Sequence, residues 1–190
     1  MEKESKYHKN GMKLYHYITK GSDVLKTGLF SFSKSPNVDL NFYTKRSGCK
    51  TQSEISKWMD DFFLGYSRGI RVWREPLKWH KKALRLKELI DSCDLLEIDV
   101  DSLQKDGLLE AVYYNPPMPM DEKEQKKEIQ KRKDLHNDGF YPIKLSDISP
   151  DPVDYSVCDD ESGRRCAFLP FYLIILKDGV IPPKYIKLIK

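Results

Sequence analysis

An α+β fold, built of two small and mainly antiparallel sheets with peripheral helices, is what the 190-residue sequence predicts, and three features carry that expectation. Short stretches of alternating apolar and polar residues recur along the chain, separated by glycine, proline, asparagine and aspartate, which is the pattern of half-buried strands joined by turns. One segment instead repeats its apolar residues at helical spacing behind a capping signal. The length suits a single domain with its own core, because domains hold about 100 to 200 residues.

Residues 1–11 carry many charges and few apolar groups and read as a loose N-terminal arm, leaving 12–190 as the domain. Leu14-Tyr15-His16-Tyr17-Ile18 reads as the first strand. A turn at Lys20-Gly21-Ser22-Asp23 starts a short helix over 22–28, which buries Val24 and Leu25 and stops at Gly28. Leu29-Phe30-Ser31-Phe32 then leaves extended, Pro36-Asn37 turns the chain, and Leu40-Asn41-Phe42-Tyr43 leads into the basic loop Lys45-Arg46-Ser47-Gly48. Thr51-x-x-Glu54 is a capping box, and Ile55, Trp58, Met59, Phe62 and Phe63 share one face of a helix over 52–64.

Gly69-Ile70-Arg71-Val72-Trp73-Arg74 alternates as a strand bounded by Pro76, and Leu84, Leu86, Leu89 and Ile90 indicate a helix near 82–92. Asp94–Val100 and Leu108–Tyr114 are two further strands. Residues 118–138 are dominated by Lys and Glu, with only Ile129 and Leu135 to pack, and predict a charged helical insertion near 121–136. Phe140-Tyr141-Pro142-Ile143 resumes the fold, and Ser149-Pro150-Asp151-Pro152 is a rigid connector. Cys166 to Leu176 is the longest apolar run and reads as a buried strand, and Ile181-Pro182-Pro183-Lys184-Tyr185-Ile186 closes the pattern.

Thirty-three Lys and Arg against twenty-nine Asp and Glu leave +4, a balance that does not by itself announce a nucleic-acid binder. No apolar run reaches the roughly 20 residues of a membrane span. The opening residues lack the apolar stretch of a signal peptide, so the expected setting is the cytoplasm, or a host cell reached without Sec-type export. Cys49, Cys93, Cys158 and Cys166 form no C-x-x-C pair, which predicts reduced thiols and no metal site. Phosphate-loop, dinucleotide-binding, zinc-protease and nucleophile-elbow motifs are all absent.

Several side chains remain as candidates for chemistry. Alternation puts Glu110 on the face of Leu108 and Val112, where a carboxylate is either a half-buried acid with a raised pKa or one end of an ion pair. Glu161 sits in the charged turn Asp159-Asp160-Glu161-Ser162-Gly163-Arg164-Arg165. Arg68 and Arg71 face either a pyrophosphate or nucleic-acid backbone, or solvent. Cys49, in its basic loop, would suit a cysteine-dependent hydrolase or deamidase with His80, His136 or His16 as base. Lys45, Arg46, Arg68, Arg71, Arg74, Lys78, Lys81 and Lys82, interleaved with Tyr66, Trp73 and Trp79, would suit a non-catalytic module that binds single-stranded nucleic acid. The charged insertion would suit a protein partner.

Leu14-Tyr15-His16-Tyr17-Ile18-Thr19 followed by Val24-Leu25-Lys26-Thr27-Gly28-Leu29 resembles the opening of the ADP-ribosyltransferase-like fold, as in the DNA-modifying DarT toxins and the RNA 2′-phosphotransferases. Ile181-Pro182-Pro183-Lys184-Tyr185-Ile186 is similar to the ending of several such proteins. The resemblance covers residues 13–32 and 168–188, about a fifth of the chain. It implies a bacterial or phage toxin or effector that consumes NAD as co-substrate and modifies a macromolecular acceptor, protein or nucleic acid. His16 matches the histidine that bonds the ribose of NAD, and Tyr17 and Thr19 would flank the cofactor beside it. Tyr43 would stack on nicotinamide and Arg46 would hold phosphate. The family glutamate near the closing strand has no counterpart in Ala167–Tyr172, so Glu110 or Glu161 would supply the carboxylate.

Overall fold

The computed structural model describes residues 11–36, 38, 40–62, 66–78, 87, 90–115, 122–135, 141–149 and 170–189. Strands β1 (Lys13–Thr19), β2 (Leu29–Phe30), β3 (Gly69–Val72), β4 (Cys93–Asp99), β5 (Leu109–Asn115), β6 (Tyr141–Ile143), β7 (Phe171–Leu176), β8 (Val180–Ile181) and β9 (Ile186–Leu188) form three small sheets. Their orders are β1-β4-β9, β2-β8 and β3-β7-β5-β6, and every pairing is antiparallel. The α+β class is therefore as expected, with the small β2–β8 pair added to the two sheets foreseen.

Of the apolar run from Cys166 to Leu176, the part Phe171–Leu176 is strand β7, and residues 166–169 lie outside the described residues. Each of the six residues of β7 is buried, because both faces of the strand are covered. Tyr172, Ile174 and Leu176 point into a core shared with Leu14, Val72, Leu96, Ile98 and Val112. Phe171, Leu173 and Ile175 point the other way, into a second core with Tyr17, Trp73, Leu77 and Leu95. A strand with two buried faces needs no polar residue, so the usual alternation disappears.

Helices α1 (Val24–Thr27), α2 (Leu40–Ser47), α3 (Gln52–Phe62), α4 (Val100–Lys105) and α5 (Glu122–Leu135) lie around the sheets. The capping box of α3 is formed: the Glu54 N–H donates to Thr51 Oγ1 at 3.2 Å, and the Thr51 N–H donates to the Glu54 carboxylate at 3.0 Å. Those backbone donors, Lys50 and Thr51, hold the Glu54 carboxyl below its ordinary pKa. Helix α5 occupies the charged insertion, and the Tyr141 hydroxyl donates to its Glu128 at 3.3 Å. Residues 90–92 are helical, and the rest of the helix expected near 82–92 falls largely outside the described residues, as do the arm at 1–10 and the connector at 150–152.

Two helices were not foreseen. The basic stretch after Leu40 is helical as α2, and the strand expected through Val100 ends at Asp99, whose carboxylate accepts the Ser102 N–H at 3.2 Å and so caps α4. Met12 is fixed by an N–H donated to Asp101 at 2.6 Å.

Gly69 makes one close approach necessary. A Cβ built there would lie 2.2 Å from Cγ of Leu173, a side chain only 1% exposed. Gly69→Ala is expected to cost about 1–3 kcal/mol by overpacking, read as a lower urea midpoint with an unchanged slope.

Candidate functional site

The site begins where the two larger sheets meet. Beyond β3, Trp73 pairs with Tyr15 of β1: the Tyr15 N–H donates to the Trp73 carbonyl at 2.8 Å and the Trp73 N–H donates back at 2.9 Å. Successive strand residues point to opposite faces. Tyr17 therefore enters the second core with Trp73, at 5.8 Å between ring centres, whereas His16, opposite Leu96, turns the other way.

His16 Nδ1 lies 2.6 Å from the carbonyl oxygen of Arg71. A carbonyl only accepts, so Nδ1 carries the proton and, in the neutral ring, Nε2 presents a lone pair. Burial pushes the His16 pKa down, and the Arg71 charge pushes the same way against the opposing effect of the hydrogen bond. The imidazole is thus neutral at physiological pH, oriented from behind and able to accept a hydrogen bond at Nε2.

Arg71 is the strand residue between Ile70 and Val72, which both enter the main core. Its guanidinium carbon stands 4.3 Å from the centre of the Phe171 ring, a cation–π contact. Burial lowers its pKa to about 10 while the nearby Tyr43 phenol acts in the opposite sense, and the group keeps its charge at physiological pH. Tyr43, on α2, is edge-on to Phe32 at 4.8 Å. Gln52, in the first turn of α3, donates through Nε2 to the carbonyls of Phe32 at 2.7 Å and Ser35 at 3.0 Å, fixing the turn that carries Phe32. His16 and Tyr43, far apart in sequence, are therefore both neighbours of Arg71.

The other sequence candidates fare differently. Tyr17 is a core residue: its hydroxyl donates to the Leu77 carbonyl at 3.3 Å and accepts the Leu77 N–H at 3.0 Å, so its polar end is taken up inside the protein. Thr19 is exposed at the end of β1. Glu110 is exposed as well, not on the apolar face expected, because the β5–β7 register shifts between Leu109 and Ala111 and leaves it at the irregularity. The Arg46 side chain and Glu161 lie outside the described residues, as do His80 and His136. Cys49 is half-buried beside Ser47, whose hydroxyl accepts the Cys49 N–H at 3.0 Å. Arg68 is exposed. No group of three or more metal-ligating side chains occurs among the described residues. Among them, no helix is long and apolar enough to cross a membrane.

Gln52, Phe32 and Phe171 did not stand out in the sequence, since a glutamine inside a helix and two phenylalanines in apolar surroundings give no signal. Arg71 gave one: between Ile70 and Val72 it had to face away from their core. Compared with protein-family models, with curated proteins and with solved structures, the chain matches none.

The His16 environment sets a pH dependence. Its folded pKa lies below the unfolded value of about 6.5, so the unfolded chain takes up a proton that the native protein resists. This contribution is complete above about pH 6.5 and is lost as the pH falls from there through the folded pKa. Urea unfolding at about pH 7.5 and about pH 5.5 is expected to show the parent losing more stability on acidification than His16→Gln.

Proposed function

We propose that the chain is an ADP-ribosyltransferase-like protein that binds NAD and transfers ADP-ribose to a macromolecular acceptor. The observation that supports this most is the fixed His16 ring, whose Nδ1–H is held by the Arg71 carbonyl and whose Nε2 is left to accept a ribose hydroxyl. That hydrogen bond holds the sugar in one orientation, as the resemblance of the Leu14–Thr19 segment also implies. The Tyr43 ring, near Arg71, offers a flat surface for nicotinamide. The Arg71 charge suits a ligand that carries phosphate.

In the reaction, the bond between C1′ of the ribose and the nicotinamide nitrogen breaks, and nicotinamide leaves with the bonding electrons. An acceptor nucleophile forms the new bond to C1′ and gives up its proton. The carboxylate that would assist, Glu110 or Glu161, belongs to the proposal on sequence grounds. The test is NAD binding by calorimetry together with nicotinamide release. Saturable binding with release supports the reading, and a protein that binds no NAD overturns it.

A further inference from the structure

Strand β9 ends the sheet β1-β4-β9, and among the described residues no strand lies on its outer side. An antiparallel ladder turns successive main-chain groups alternately toward and away from the partner strand. The Ile189 N–H donates to the Leu95 carbonyl at 2.9 Å, and Lys187 stands opposite Glu97, so the main-chain groups of both residues face β4. Those of Ile186 and Leu188 therefore turn outward. The Ile186 N–H is given to the Pro183 carbonyl, which leaves Leu188 presenting both an N–H and a C=O at the open edge.

The same edge carries exposed apolar surface. Leu188 stands opposite Leu96 on the face of the main core, and Ile189, bonded to Leu95, lies on the face of the second. Leu188 is nevertheless 44% exposed and Ile189 45%, because β9 is the last strand. Leu25, expected inside with Val24, is 45% exposed on α1, which packs beside β9 and the turn before it. These three are the large apolar side chains left exposed among the described residues, and all border one sheet edge. Apolar surface beside unpaired main-chain groups suits the addition of another strand. Charge selects which strand. Lys184 and Lys187 lie exposed along residues 184–189, which include no acid. Lys184 is held by Asp106 at 3.3 Å, whereas Lys187 makes no ion pair among the described residues. A lysine on an edge strand opposes pairing with a second, equally basic copy and favours an acidic strand.

We propose that β9 docks an extended segment of a partner protein, which adds to the sheet antiparallel, as every other pairing here is. It places an apolar residue opposite Ile189, a second opposite Leu188 and a carboxylate opposite Lys187. Read along the partner, the motif is apolar, apolar, acidic. The edge lies across β4 from β1 and shares no side chain with the His16 cluster, so the proposal stands apart from the NAD reading.

The probe is the acetylated, amidated hexapeptide Thr-Val-Val-Glu-Val-Thr, added to the full chain while amide hydrogen exchange is followed by NMR. The Leu188 N–H is expected to exchange quickly in the free protein and about tenfold more slowly at saturation, because it then donates to the peptide. The same peptide with lysine in place of glutamate is expected to bind about tenfold more weakly, and Lys187→Gln to narrow that preference severalfold. Leu188→Pro removes the outward N–H, which the fold does not use, and is expected to abolish binding. If Leu188→Pro does not fold, the Leu188 exchange rate and Lys187→Gln decide. A Leu188 exchange rate that the peptide leaves unchanged, or equal binding of both peptides, overturns the proposal. A dimer of the free protein in sedimentation that Leu188→Pro abolishes would make the occupant a second copy, and binding to phosphatidylserine vesicles in place of peptide would make it a membrane; either result also overturns it.

Discussion

His16→Ala is expected to lower nicotinamide release from NAD about a hundredfold, with a melting temperature a few degrees below that of the parent. The magnitude follows from positioning: a reacting group displaced by about 1 Å loses about that factor, and alanine leaves nothing to hold the ribose. Truncation leaves the Arg71 carbonyl without its donor, at a cost of about 1–3 kcal/mol, so the rates are compared at a temperature where both proteins are folded. His16→Gln is the informative companion. A glutamine can still donate toward the Arg71 carbonyl, yet it cannot set a second acceptor where Nε2 stands. Equal rates in parent and His16→Ala would remove His16 from the chemistry and leave its hydrogen bond as a structural one.

The largest expected loss of stability is for Ile174→Ala. Ile174 is 0% exposed at the centre of β7, opposite Ile70 of β3 on one side and Val112 of β5 on the other. Removing the side chain leaves a cavity between strands that are each held by the other, so the walls cannot collapse far. A cost of about 2–5 kcal/mol is expected in urea unfolding. A cost below about 1 kcal/mol would mean that the main core repacks around the gap.

How much of this was legible in the sequence depended on whether the signal was local. The capping box at Thr51 and Glu54 names its helix because both partners lie within one turn. The apolar run ending at Leu176 names a doubly buried strand because it is short, rich in β-branched and aromatic residues and closed by the turn at Asp178-Gly179. Helix α2 was hidden: Leu40–Ser47 has no acidic residue in its first turn, and Tyr43 is packed against Phe32, which belongs to another segment. Glu110 was misread because alternation holds only while the ladder is regular, and a register shift reset the parity beside it. Of the candidate site, His16 was visible through the resemblance and Tyr43 through its chemistry. Their link through Arg71 was not, because it is made by β3 reaching β1 across more than fifty residues of chain.

Each of the three sheets takes one strand from the segment 171–188: β7 completes the largest, β8 pairs with β2, and β9 lies beside β4. Gly69 meets Ile175, and Leu29 meets Ile181, so these ladders close over most of the chain length. Loops of that size must be closed before their contacts repay the lost entropy, which makes folding slow and strongly cooperative. A chain emerging from the ribosome has no finished sheet to fold onto until this segment is out. Its earlier apolar strands wait, exposed, for partners made after them, and that interval of synthesis is when they are most open to chaperones, to proteases and to aggregation.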